Sequence, residues 1–270
     1  MWFSRSSRPR PLRRVVALGS SFASGPGLEP YASFGAQRSE RNYPHVLAER
    51  LGAELTDLTV AGATTATILR EPLTTVFGET FAPQIQGLPD DADVVTVTAG
   101  GNDLEFIPSV RWAALSALDE APAFLRPALA DLPGRVVEPT AEAVAAAVAG
   151  LEEIVESVRA RAPHAHVVLV DYLTLVDPSE SAVPADLPAE HRAGIARIQG
   201  AIEEAFRTTA GRTSADLVAA SEISRGHALG AAEPWVTGLD LTPRGHAGSF
   251  HPTAAGMRAV GEEVARRLGA

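Results

Sequence analysis

Hydroxyl, amide and imidazole side chains fall in this chain where an α/β protein would present chemistry. The apolar run Val15-Val16-Ala17-Leu18 passes directly into Gly19-Ser20-Ser21-Phe22-Ala23-Ser24-Gly25, the pattern of a buried parallel strand that stops at a tight turn. Ligands of open α/β sheets bind at the carboxyl ends of strands. A serine at that edge is therefore a candidate nucleophile, and Gly19 and Gly25 would let the backbone turn sharply beside it. A glycine- and serine-rich turn without chemistry would have the same composition. Two more small-residue clusters follow apolar runs, Ala61-Gly62-Ala63-Thr64-Thr65 and Gly100-Gly101-Asn102-Asp103. Near the end, His251-Pro252 opens a helical segment, with Pro252 at the first helical position, where a missing N–H is harmless.

These residues are carried by alternating short strands and amphipathic helices. Strands are expected at 15–18, 55–60, 94–99, 167–171 and 217–220, and Val94 to Ala99 is the clearest because it is rich in β-branched residues. Helices are expected at 42–51, 107–118, 140–161 with Thr140 as N-cap, 189–210 and 252–268. Residues 70–93 read as a long connection with one short helix near 81–86. The four prolines between Pro122 and Pro139 mark an insertion, so that about 119–139 is a candidate lid. Alternation of this kind predicts an α/β protein: a three-layer α/β/α sandwich with a five-stranded parallel sheet in flavodoxin-like order. No strand is followed by a Gly-x-Gly-x-x-Gly fingerprint, so no cofactor is expected.

Composition narrows the chemistry further. At 270 residues with 46% hydrophobic content, one domain over 15–270 with a sizeable core is the expectation. The net charge of -10 and pI near 5.2 argue against nucleic acid as a partner, because phosphate binding draws on clustered positive charge. The chain has no cysteine and no lysine, which excludes a thiolate nucleophile, a cysteine metal site, Schiff-base chemistry and a P-loop lysine. Residues 1–14 hold five arginines and read as a disordered basic tail. Arg13-Arg14 invites a twin-arginine export reading, but the apolar run behind it is four residues long, against the roughly 7–15 of a secretory segment. No window approaches the ~18 apolar residues of a membrane span. A cytoplasmic location without an integral membrane segment is the expectation, with export as the alternative.

In order, Gly-x-Ser, Gly62, Gly-x-Asn-Asp and His-Pro before a C-terminal helix resemble the SGNH, or GDSL-type, hydrolase family. The stretch Pro234-Trp235-Val236-Thr237-Gly238 and the block His251-Pro252-Thr253-Ala254-Ala255-Gly256 are most similar to its lipase-2-like bacterial esterase branch. The resemblance implies a serine esterase or lipase that needs no cofactor or metal and acts on a small-molecule or lipid ester. It assigns Ser21 as nucleophile, His251 as base, and the backbone N–H of Ser21, the backbone N–H of Gly62 and the Asn102 side-chain amide as oxyanion donors. A carbohydrate acetylesterase or thioesterase would use the same residues, and a non-catalytic binding protein is the remaining alternative.

The chain departs from the family pattern twice. Gly19-Ser20-Ser21 stands where Gly-Asp-Ser is usual, and Gly248 stands where an aspartate usually precedes the histidine by three residues. Without that aspartate, the backbone carbonyl of Gly248 is the expected acceptor for the second imidazole nitrogen, with Asp240 as the rival. His246 is a weaker alternative base, and His164-Ala165-His166 reads as a surface turn rather than a metal pair. Asp90, Asp91 and Asp93 read as a solvated loop. Phe124, Leu125, Leu129 and Leu132, with Trp112 and Trp235, are candidates for an acyl pocket.

Overall fold

The computed structural model describes residues 11–177 and 187–270. Most of the expected tail, residues 1–10, lies outside the described residues, as do residues 178–186. In chain order the elements are β1 (Arg14–Gly19), α1 (Ser21–Ser24), β2 (Tyr31–Ser33), β3 (Arg38–Ser39), α2 (Tyr43–Leu51), β4 (Glu54–Asp57) and α3 (Thr65–Leu69). Next come β5 (Leu73–Thr74), β6 (Thr80–Phe81), β7 (Val94–Thr98), α4 (Phe106–Ser116), α5 (Arg126–Ala130), α6 (Ala141–Arg161) and β8 (His166–Val170). The chain closes with α7 (Ala189–Thr213), β9 (Asp216–Val218), α8 (Ala220–Ile223) and α9 (Ala254–Arg267).

The main sheet has five strands in the order β4-β1-β7-β8-β9, all parallel. In chain order that is second, first, third, fourth and fifth, the flavodoxin-like arrangement expected from the alternation. Val15 to Leu18 and Val94 to Val97 sit in the middle of it and are buried on both faces, which is why the first reads as a continuous apolar run and the second as a β-branched one with only Thr96 polar between its valines. Helices α2 and α9 pack against each other, and α6 packs on α7 with α3 and α4 beside them. Right-handed crossovers place these two groups on opposite faces of the sheet.

Several local expectations change. Arg14 belongs to β1 rather than to a tail: its backbone N–H donates to Asp93 Oδ2 at 3.0 Å and its guanidinium meets Asp91 at 2.6 Å. Asp93 is accordingly buried rather than solvated, and it also accepts from the Arg13 N–H at 2.8 Å. Helix α9 starts at Ala254, with Thr253 as N-cap accepting from the Gly256 N–H. Pro252 instead bridges to Val236, so the turn bearing His251 is tied to the segment around Val236 and not to the helix. Helix α3, with its Thr64–Thr67 capping box, and the hairpins β2–β3 and β5–β6 were absent from the periodicity because each strand is only two or three residues long.

Candidate active site

Strand β1 delivers Ser21. Gln84, buried on the connection before β7, donates to the Gly19 carbonyl at 2.9 Å and accepts from its N–H at 2.8 Å, so the last residue of the strand is clamped from both sides. The chain then turns into α1, whose first residue is Ser21. Ser20 faces away: its hydroxyl meets the buried Tyr172 hydroxyl at 3.0 Å, and burial pushes that phenol far up in pKa, so it stays neutral. The Gly101 N–H also donates to Tyr172 Oη, at 3.1 Å. One phenol thereby links the turn after β1 to the turn after β7. Ser24 is fully buried.

The three residues that the resemblance assigns as oxyanion donors, Ser21, Gly62 and Asn102, border the same cleft. Gly62 has φ +87°, a left-handed conformation, and a Cβ there would meet nothing within 4 Å; glycine is needed for the turn, not for space. Neither its N–H nor that of Ser21 has an acceptor among the described residues. Asn102 donates through Nδ2 to the Ala63 carbonyl at 2.8 Å. That bond fixes the amide and leaves a second N–H for a ligand. Ser21, Gly62, Asn102 and His251 line one cleft of about 370 Å³.

His251 is 3% exposed and its Nδ1 lies 2.9 Å from the Ser249 carbonyl oxygen. A carbonyl can only accept, so Nδ1 carries the proton and Nε2 is left as the basic nitrogen. The expected acceptor, Gly248, is displaced by one residue. Its carbonyl already accepts from the Thr237 hydroxyl and from the His251 N–H, while Phe250 at φ +62° turns the chain so that the imidazole folds back over Ser249. The glycine at 248 has a packing reason: a Cβ there would lie 3.0 Å from Gly27 Cα, where two backbones touch. The rival Asp240 is exposed, and its carboxylate accepts from the Thr242 N–H at 2.8 Å. Its main chain still contributes, because the Asp240 N–H donates to Ser249 Oγ at 2.9 Å. Burial first, then the positive charge of Arg111, push the His251 pKa down to about 3, while the bond to Ser249 works the other way. The ring is a neutral base across ordinary pH.

The hairpin β5–β6 supplies an unforeseen wall of the cleft through Leu73, Thr74, Thr75, Val76 and Phe77, and Leu132 reaches it from the segment after α5. Trp112 and Trp235 do not line it; they pack against His191 and His227 instead. His246 does line it, with Nδ1 3.0 Å from the Pro243 carbonyl. His164 and His166 are exposed, and no cluster of acidic and histidine side chains able to hold a metal occurs among the described residues. A larger cleft of about 620 Å³ lies along β9, lined by Asp171, Glu203, Arg207 and Ser221. None of Ser21, Gly62, Asn102 or His251 borders it.

Residues 17–259 match the model of the GDSL-like Lipase/Acylhydrolase family, a span that includes every residue of the cleft described above. The chain belongs to the GDSL-like lipase/acylhydrolase family. It is a carboxylic ester hydrolase of the α/β type. Among curated relatives, Lipase 2 of Streptomyces coelicolor is 33% identical over 276 residues, covering 96% of this chain and 87% of that protein. A lipase of Streptomyces rimosus is 27% identical over 255 residues, covering 90% and 81%. The crystal structure of the extracellular lipase from Streptomyces rimosus superposes with a TM-score of 0.71 at 24% identity, covering 96% of this chain and all of that one. Phospholipase A1 from Streptomyces albidoflavus superposes with a TM-score of 0.72 at 23% identity over the same shares. Both likenesses establish the common fold.

For a GDSL-like acylhydrolase, Ser249, Thr237, Tyr172, Gln84 and Arg111 were the site residues that sequence reasoning missed. Thr237 lies in the Pro-Trp-Val-Thr-Gly stretch already singled out, so proximity to that motif was a usable signal. The others act through a main-chain carbonyl or from distant helices and loops, and carry no local signature.

Proposed function

We propose that this ester hydrolase works through an acyl-enzyme on Ser21, with His251 as general base and the Ser249 carbonyl in place of a triad carboxylate. Nε2 takes the Ser21 hydroxyl proton as Oγ attacks the ester carbonyl carbon. The Ser21 N–H, the Gly62 N–H and the Asn102 amide receive the oxyanion, and removing one such donor is worth about 2.7–4 kcal/mol of transition-state stabilisation. Collapse of the adduct breaks the bond to the alkoxide, which leaves with the proton from His251. Water, deprotonated by the same nitrogen, then releases the acid and restores Ser21. What carries this reading is the His251–Ser249 contact of 2.9 Å inside the cleft that Ser21, Gly62 and Asn102 also line. The Ser249 oxygen cannot carry full charge, so it orients the ring and stabilises the imidazolium less than a carboxylate would.

Apolar walls at Leu73, Val76, Phe77, Ile107 and Leu132 favour an ester with an aliphatic acyl chain. Leu132 on the cleft and Phe124 against the His246 ring at 5.3 Å support the 119–139 segment as a cover of one domain. No helix among the described residues is long and apolar enough to cross a membrane. The Streptomyces rimosus relative is described as extracellular, and we favour action outside the cytoplasm on that likeness over the cytoplasmic expectation. A fluorophosphonate probe tests the core of the reading. Labelling of Ser21 in the wild type and none in Ser21→Ala is the expected result; labelling of another serine would mean that the nucleophile is wrongly assigned, and absence of any labelling would overturn the acyl-enzyme reading.

A further inference from the structure

The cleft contains one fixed charge. Arg111, on α4, lines it together with Ser21 and His251, and no Asp or Glu is among the lining residues. Many arginines elsewhere on the chain are paired with carboxylates, as Arg197 is with Glu138 and Arg50 with Glu262. Its Nη2 donates to the carbonyls of His246, at 3.3 Å, and Ala247, at 3.1 Å. No carboxylate pairs with it among the described residues, and Nε and Nη1 have no acceptor there. A half-buried guanidinium held by two neutral carbonyls keeps a positive charge that no carboxylate neutralises. Such a group is poised to receive an anion, for which its planar fork is suited.

We propose that Arg111 is a specificity determinant that receives an anionic group of the ester substrate, a phosphodiester or a carboxylate lying near the scissile bond. This rests on the acyl-enzyme reading of Ser21 and His251. The proposal also couples recognition to chemistry. The Arg111 charge disfavours protonation of His251, and the reaction requires the imidazolium to form. An anion seated on Arg111 cancels that opposition when the proton moves, so charged esters gain in kcat as well as in KM. Neutral esters leave the opposition in place.

The test uses the full chain and three esters matched in their acyl chains, each below its micellar concentration: dihexanoylglycerol, its hemisuccinate and dihexanoylphosphatidylmethanol. The wild type should prefer at least one charged ester over the neutral one by roughly tenfold or more in kcat/KM, the value of one charge-assisted hydrogen bond. Preference for the phosphodiester alone identifies a lipid headgroup as the source, and preference for both identifies anionic charge in general. In Arg111→Gln the charged-to-neutral ratio should collapse to about one, and Arg111→Lys should restore part of it. A readout without turnover is the slowing of Ser21 labelling by hexyl methyl phosphate, expected in the wild type and lost in Arg111→Gln. No charge preference in the wild type, or an equal loss toward all three esters in Arg111→Gln, would overturn the proposal and leave Arg111 as a brace for the 246–247 turn. Failure of Ser21 to label at all refutes the acyl-enzyme reading instead.

Discussion

Lowering the pH tests the environment of His251 most directly. His251, the proposed base, must be neutral to act, and its pKa in the fold is about 3 against 6.5 for an unperturbed ring. At pH 5 a ring with the lowered value is about 99% neutral, whereas an ordinary histidine would be about 3% neutral. The same shift acts on stability. The unfolded chain binds a proton at this ring near pH 6.5, and the folded chain does not until about pH 3, so stability falls as pH drops through that window. If the fold survived the whole interval the loss would reach about 5 kcal/mol, comparable with the 5–15 kcal/mol that holds a typical domain together. Acid unfolding should therefore overtake titration of the base. The assay is kcat/KM on a soluble ester between pH 3.5 and 8, with far-UV circular dichroism at each point. The expectation is a plateau down to the onset of unfolding, then a steep, cooperative loss that coincides with the spectroscopic transition. A one-proton decline centred near pH 6.5 in a protein that remains folded would refute the argument that burial and Arg111 hold the ring neutral.

Other outcomes follow from the same geometry. Ser21→Ala should abolish ester hydrolysis while Ser20→Ala, which loses only its contact to Tyr172, keeps substantial activity; the reverse pattern would mean that the wrong serine is assigned. Asp240→Asn should leave kcat within about threefold, because its carboxylate serves a local turn; a fall on the order of 10⁴, as for a triad aspartate, would restore a displaced triad. Asp171 is buried with its oxygens accepting from the Ser221 N–H and hydroxyl, and burial raises its pKa to about 7. Stability linked to its protonation is fully present below about pH 4 and lost as pH rises through 7. Asp171→Asn should therefore match the wild type at pH 4 and exceed it at pH 8 by up to about 4 kcal/mol in thermal or urea unfolding; equal stability at both pH values would contradict this account.

Much of this protein is dictated locally. Buried parallel strands must be apolar on both faces, so Val15 to Leu18 and Val94 to Val97 are legible as strands without any structure. Turns at their carboxyl ends need small residues, which is why the Ser21, Gly62 and Asn102 clusters stand out, and strand-helix alternation then leaves few topologies open. Only tertiary structure decided the rest. Which carbonyl meets the imidazole depends on the left-handed turn at Phe250 and on a hydroxyl at Thr237 that occupies the Gly248 oxygen first. Both are properties of a folded loop, and neither has a period or a propensity that a sequence can display. The glycine at 248 likewise looks like a lost aspartate in one dimension and is a backbone contact with Gly27 in three. Arg111 reaches the same cleft from a helix 140 positions before His251. Electrostatic coupling of that kind depends on distance through space, which the order of residues along the chain does not encode.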